Sequence, residues 1–231
     1  MTRDDPDGPL PQLLLALTLV TGLVDATSYL KLGHVFVANM TGNVVFLGFG
    51  IAGAGGISIG ASLTALGSFL AGSVGGGRIG ARWSSDRGRL LAFASATELL
   101  LVASGLVVAA FSIHHVGTGS RYTLIVVLAV AMGVQNAAAR KLAVAELTTT
   151  VLTMTMTGIA ADSPLAGGHG SRLLRRGLSV AAMLLGALIG GALVLKVDNP
   201  APLALATCLL ATISFVTYRA SRSAPAWTHS G

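Results

Sequence analysis

Val35-Phe36-Val37-Ala38-Asn39-Met40-Thr41-Gly42-Asn43 decides how this chain folds, because it sets a polar cluster inside a stretch that stays apolar to Ala54. Asn and Thr favour helix N-caps and glycine permits unusual backbone angles, so Asn39, Thr41, Gly42 and Asn43 predict an extended approach and then a helix from about Thr41. Further along, Val144-Ala145-Glu146-Leu147-Thr148-Thr149-Thr150 places a second polar cluster at the head of a second apolar stretch, 144–161. Gly22-Leu23-Val24-Asp25-Ala26 precedes the first cluster and Gly133-Val134-Gln135-Asn136-Ala137 the second. Two further matches follow in the same order, Phe69–Gly76 with Leu184–Gly191 and Ala96–Leu100 with Ala206–Leu210. The four offsets (111, 107, 115 and 110 by subtraction) differ only by short gaps, the mark of an internal duplication with repeats at about 10–113 and 121–219.

Composition sets the class. The chain is 53% hydrophobic and only 10% charged, with 30 glycines among 231 residues, and its mean hydropathy is +0.77. Soluble domains carry roughly a quarter charged residues, so these few cannot cover a water-exposed surface. The chain therefore reads as one all-α membrane domain, a polytopic helix bundle. A net charge of +6 invites a nucleic-acid partner, but the basic residues lie between apolar runs and form no stripe with interleaved aromatics. They read as topology determinants, with the lipid bilayer as the partner and no nucleic acid. The acidic start Met1-Thr2-Arg3-Asp4-Asp5 lacks the basic region of a signal peptide, so the first apolar run is expected to be a retained span.

Apolar runs of about 20 residues are candidate spans: Leu10–Leu30, Ile57–Ile79, Leu90–Ile113, Tyr122–Ala139, Leu173–Leu195 and Pro202–Tyr218. Val35–Ala54 and Val144–Ala161 are ambiguous. If both cross, giving eight spans and parallel repeats, Lys and Arg divide almost evenly between the faces. If both return to the side they came from, Arg3, Arg78, Arg82, Arg87, Arg89, Arg140, Lys141, Arg172, Arg175, Arg176, Arg219 and Arg222 share one face. Only Lys31, Arg121 and Lys196 lie on the other. The positive-inside rule favours this second arrangement, with both termini cytoplasmic. Six spans make three per half, so the repeats are expected to be inverted, with two re-entrant or broken helices.

Several polar residues are candidates for a solute pathway. Asp25 is a carboxylate within the first span, which costs a few kcal/mol by insertion scales and usually marks function; a carboxylate near the helix end, with Lys31 within two turns, that snorkels or bonds to a neighbouring helix is the plain structural reading. Asn136, beside Gln135, is its neutral counterpart. Glu98, in the middle of the third span, is the best candidate for a proton carrier; a carboxyl bonded to a neighbouring Ser or Thr is the alternative. Free N–H groups at the Thr41–Asn43 helix start would favour an anion. Glu146, Thr148, Thr149 and Thr150 would form the matching half, although threonine hydroxyls also bond helix carbonyls. Gly72 with Gly76 and Gly186 with Gly190 show the small-residue spacing of membrane helix contacts, and their two helices are expected to pack on each other.

Nothing points to an enzyme. No Walker motif, HExxH or nucleophile elbow is present, Cys208 is the single cysteine, and His114-His115 has no third ligand nearby. No metal and no cofactor are expected.

Gly22–Ala26, Val35–Asn43 and Gly133–Ala137 resemble the YoaK-like bacterial membrane proteins, over roughly Pro11 to Ala220. Many members read an Arg-Thr-Thr-Val-Thr-Gly-like stretch in the second half, from which Ala145–Thr150 departs. The resemblance implies a multi-pass protein of a bacterial plasma membrane with six spans, and it supplies no substrate. The reading that follows is a transporter or channel for an unidentified small polar or anionic solute, with Asp25 or Glu98 available for proton coupling. The rival is a membrane scaffold or sensor, and a homo-oligomer is compatible with either.

Overall fold

The computed structural model describes residues 7–83, 85–112, 117–144, 152–167, 173–197 and 200–222. Among them are eight α-helices and no strand. Six are long: α1 (Leu10–Lys31), α3 (Ile59–Arg82), α4 (Arg87–Phe111), α5 (Thr118–Leu142), α7 (Leu173–Lys196) and α8 (Ala201–Arg222). Each has the length and apolar composition to cross a membrane. The other two, α2 (Met40–Ile51) and α6 (Leu152–Ala161), have 12 and 10 residues. At 1.5 Å per residue they reach roughly 18 and 15 Å, about half of a bilayer's hydrocarbon core. Among the described residues only the six long helices reach the length of a span, in keeping with the six-span reading. The cluster at Asn39–Asn43 shortens the first ambiguous stretch to the half-span α2, and residues 145–151 of the second lie outside the described residues.

Contacts at the helix ends define two faces. Asp7 pairs with Arg87 at 3.0 Å and Arg175 at 3.5 Å, and Arg87 also donates to the Leu142 carbonyl at 3.3 Å. The start of α1, α4 and α7 and the end of α5 thus meet. Gly80 lies against Lys141, and Trp83, Arg89, Tyr218 and Arg222 surround one shallow depression, which adds the ends of α3 and α8. At the far ends, Gly33 lies against Arg121 and Gly60 against Tyr122, joining the end of α1 to the starts of α3 and α5. Ten Lys and Arg of the described helices crowd the first face, and Lys31, Arg121 and Lys196 hold the second.

Lipid tails are as apolar as leucine, so helix association here depends on close packing. The helices that pack most closely are α1 with α7 and α3 with α5. A Cβ added at Gly22 would lie 2.5 Å from the Met183 carbonyl oxygen and 2.7 Å from the Ala187 nitrogen, and one at Gly186 would strike Leu19. In the other pair, a Cβ at Gly133 would strike Phe69 and one at Gly72 would strike Val130. Gly190 meets Leu23 and Ala26, and Gly76 meets Val134 and Ala137. The expected partnership is corrected here. The α3 and α7 glycines do not pack on each other; each pair is cradled by the helix that carries its own polar residue, Asp25 or Gln135. Within each pair the helices run the same way: α1 and α7 away from the arginine-rich face, α3 and α5 towards it.

Substituting leucine at Gly72 or Gly186 should cost about 3 kcal/mol or more, because backbone must move to admit the side chain. Leucine at Gly77, where nothing lies within 4 Å, should change stability by about 0.5 kcal/mol or less. Thermal unfolding in detergent measures both. Equal tolerance at the three positions would remove the glycine cradles as determinants of packing.

Candidate functional site

After α1 the chain turns back into the bundle. Gly33 and His34 both adopt left-handed backbone (φ 93° and 57°), and the following residues run without helix to the N-cap Asn39. Backbone freed inside a membrane protein must find partners within the protein. Asp25 supplies one set: its Oδ1 accepts the N–H of Val37 at 3.0 Å and of Ala38 at 2.8 Å. Asn43 supplies the other. Phe36 N–H donates to Asn43 Oδ1 at 2.9 Å, and Asn43 Nδ2 donates back to the Phe36 carbonyl. Asn43 is fully buried, and its amide is spent on Phe36 and, at 3.6 Å, on the Met40 sulfur. Gly42 leaves room for the Phe36 ring, which a Cβ would meet at 2.8 Å.

From Asp25 onwards α2 accompanies α1 towards the second face. Ala38 lies at Asp25, while Phe46, two turns into α2, sits 6.1 Å from Tyr29 and stacks on Phe36. The chain thus leaves on the side it came from. Helix α6 is held at the opposite side, where the buried Arg176 near the start of α7 donates to the Gly158 carbonyl and to Asp162 at 2.6 Å. Both short helices begin at the same place. A cavity of about 750 Å³ is lined by Asp25, by Asn39, Met40, Thr41 and Gly42 at the start of α2, and by Leu152 and Thr153 at the start of α6. Val45, Phe46, Phe69 of α3 and Met183 of α7 complete its apolar walls.

Asp25, Asn39, Thr41 and Gly42 are therefore brought together, and the other candidates are placed elsewhere. Gln135 Nε2 donates to Thr21 Oγ1 at 2.9 Å and to the Leu17 carbonyl at 3.4 Å, tying α5 to α1. Asn136 donates to the Met132 carbonyl at 2.8 Å in its own helix. Glu98 is fully buried in α4, which packs against α5 and α8, and neither carboxyl oxygen has a hydrogen-bond partner among the described residues. It is not among the residues that line the cavity. Lys31 is exposed and does not pair with Asp25, whose Oδ2 has no hydrogen-bond partner among the described residues. Glu146, Thr148, Thr149, Thr150 and the His114-His115 pair lie outside the described residues. Among the described residues no cluster of three His, Cys, Asp or Glu exists to hold a metal. Phe69, Met183 and Arg176 were not foreseen. An apolar side chain facing a cavity looks like one facing a neighbouring helix, and Arg176 reads as one more basic residue at a helix end.

Six helices of spanning length, with two short helices at one cavity, define a polytopic α-helical membrane protein. Residues 13–216 match the family described as protein of unknown function DUF1275, and the chain belongs to that family. It is 37% identical over 155 residues to the UPF0700 transmembrane protein YoaK of Bacillus subtilis (strain 168). That alignment covers 65% of this chain and 65% of the relative's length. No solved structure matches.

Replacing Asn43 by Ala strands both backbone groups of Phe36, at a cost of about 1–3 kcal/mol. Amide exchange at Phe36–Ala38 should accelerate and thermal stability should fall by that amount. Unchanged exchange would show that Asn43 does not hold the segment.

Proposed function

We propose that this chain is a carrier of a small solute, built as an inverted internal repeat of three spans and one half-helix, with the cavity between the two half-helices as the solute's path. One observation carries the reading: a single cavity touches Asp25 and the start of α2 on one side and the start of α6 on the other. Broken helices meeting at a repeat interface are how many secondary carriers form a mid-membrane site.

The pairing of the halves is supported by the glycine contacts. Gly22 meets the Met183 carbonyl oxygen, the Ala187 nitrogen and the Gly186 carbon, and Gly133 meets the same three atom types of Phe69, Ser73 and Gly72. The partners correspond at offsets of 111 residues for α1 with α5 and 114 for α3 with α7. The second offset is one less than the composition of the segments suggested. Phe69 and Met183, themselves partners at 114, both line the cavity. Inversion is supported by direction, since the two close-packed pairs run oppositely and α2 and α6 lead to opposite faces. The arginine-rich face is the cytoplasmic one by the positive-inside rule, which places both chain ends in the cytoplasm of a bacterial cell. Asp25 and Glu98, the latter buried away from the cavity with no hydrogen-bond partner among the described residues, are the groups available for proton coupling. In this reading the chain is a carrier and not an enzyme.

Thiol accessibility tests the path without knowledge of the solute. Cys208 is exposed and is first replaced by Ala. Cysteines placed at Asn39 and Thr153 should then react with a membrane-impermeant maleimide both in intact cells and in inverted vesicles, whereas one at the buried Leu14 should stay protected in both. Reaction of each position from one side only, or of neither, would favour a scaffold whose polar clusters merely close helix ends.

A further inference from the structure

We propose that the cavity selects an organic cation, a protonated amine on a small apolar body; this rests on the solute-path reading above. Asp25 is the only charged residue on the cavity wall among the described residues. It is 3% exposed, one carboxylate oxygen is held by Val37 and Ala38, and the other has no hydrogen-bond partner among the described residues. A carboxylate so placed, with no Lys, Arg or His paired to it among the described residues, gives the cavity an attraction for positive charge. An anion is disfavoured for the same reason. The N–H groups of Val37 and Ala38 ahead of α2 already hold Asp25.

The rest of the wall decides which kind of cation. Phe46 and Phe69 line the wall with aromatic rings and Met40 and Met183 with thioethers, groups that suit an ammonium group and an apolar body together. Thr41 is exposed at the first turn of α2 and offers a hydroxyl oxygen to an ammonium proton. A bare metal ion would want several oxygen ligands, and among the described residues no acidic cluster supplies them. The volume, about 750 Å³, falls within the range of roughly 300–1,000 Å³ typical of small-molecule sites.

Three probes of one shape separate charge from fit: benzylammonium, benzyl alcohol and benzoate, titrated calorimetrically into the purified chain in lipid nanodiscs. Benzylammonium should bind and the other two should not. Asp25→Asn keeps an oxygen to accept the Val37 and Ala38 N–H groups, so it should retain its unfolding temperature while binding benzylammonium more than about tenfold more weakly. Thr41→Lys, which places a positive charge at an exposed cavity position, should weaken binding similarly. The proposal is overturned if no probe binds, if benzyl alcohol or benzoate binds as well as benzylammonium, or if both variants bind like the parent. Preference for either of those two probes would leave the solute path standing with a different selectivity. The thiol-accessibility experiment uses no ligand and tests that path independently.

Discussion

A helix interrupted inside a bilayer must satisfy the backbone groups it frees, because no water is available to do so. Asp25 and Asn43 meet this constraint for residues 36–38, and the remainder of the first half depends on them. Asp25 reaches forward from α1 and Asn43 reaches back from α2, so the loop between the helices is clamped from both ends. The clamp fixes where α2 begins, and that position leaves α2 half the length of a span. It also brings Asn39 and Thr41 to the cavity. Asp25 thus uses one oxygen to hold the segment, while the other has no hydrogen-bond partner among the described residues.

Close glycine contacts make this arrangement compatible with a compact bundle. Where Gly22 meets Gly186, and Gly133 meets Gly72, backbones approach as closely as atoms allow. Those contacts join α1 to α7 and α3 to α5. The helices that pack most tightly thus lie far apart in the chain, in keeping with the inverted repeat proposed above. Closely packed pairs of this kind can rock as units about a shared cavity, a motion on which alternating access in many carriers depends.

Much of the scaffold was legible in the sequence because bilayer thickness imposes a coarse, length-based signal. All six spans were readable to within a few residues, as α1 at Leu10–Lys31 and α7 at Leu173–Lys196 illustrate. The half-helices were readable because Asn39–Asn43 breaks an apolar run that would otherwise suffice to cross. Partnership between side chains was less readable. Asn43 and Thr41 stand two residues apart in one cluster, yet Asn43 is buried against Phe36 and Thr41 is exposed beside the cavity, a difference set by 100° of rotation per residue around α2. Gln135 carries no mark in sequence that distinguishes a tie to Thr21 from a solute ligand. The packing glycines were recognised by spacing, but spacing gives no partner, and α3 and α7 turned out to pack on α5 and α1.

Helices α2 and α6 start at one cavity and lead away to opposite faces. Cross-linking tests this arrangement most directly. In the Cys208→Ala background, cysteines at Thr41 and Thr153 should be joined within a single chain by a short bis-maleimide, while cysteines at the outward-facing Phe49 and at Thr153 should not. Joining of the first pair with no joining of the second is the result this account requires. Failure to join Thr41 to Thr153 in a folded protein that reacts with the single-ended reagent at both sites would contradict it.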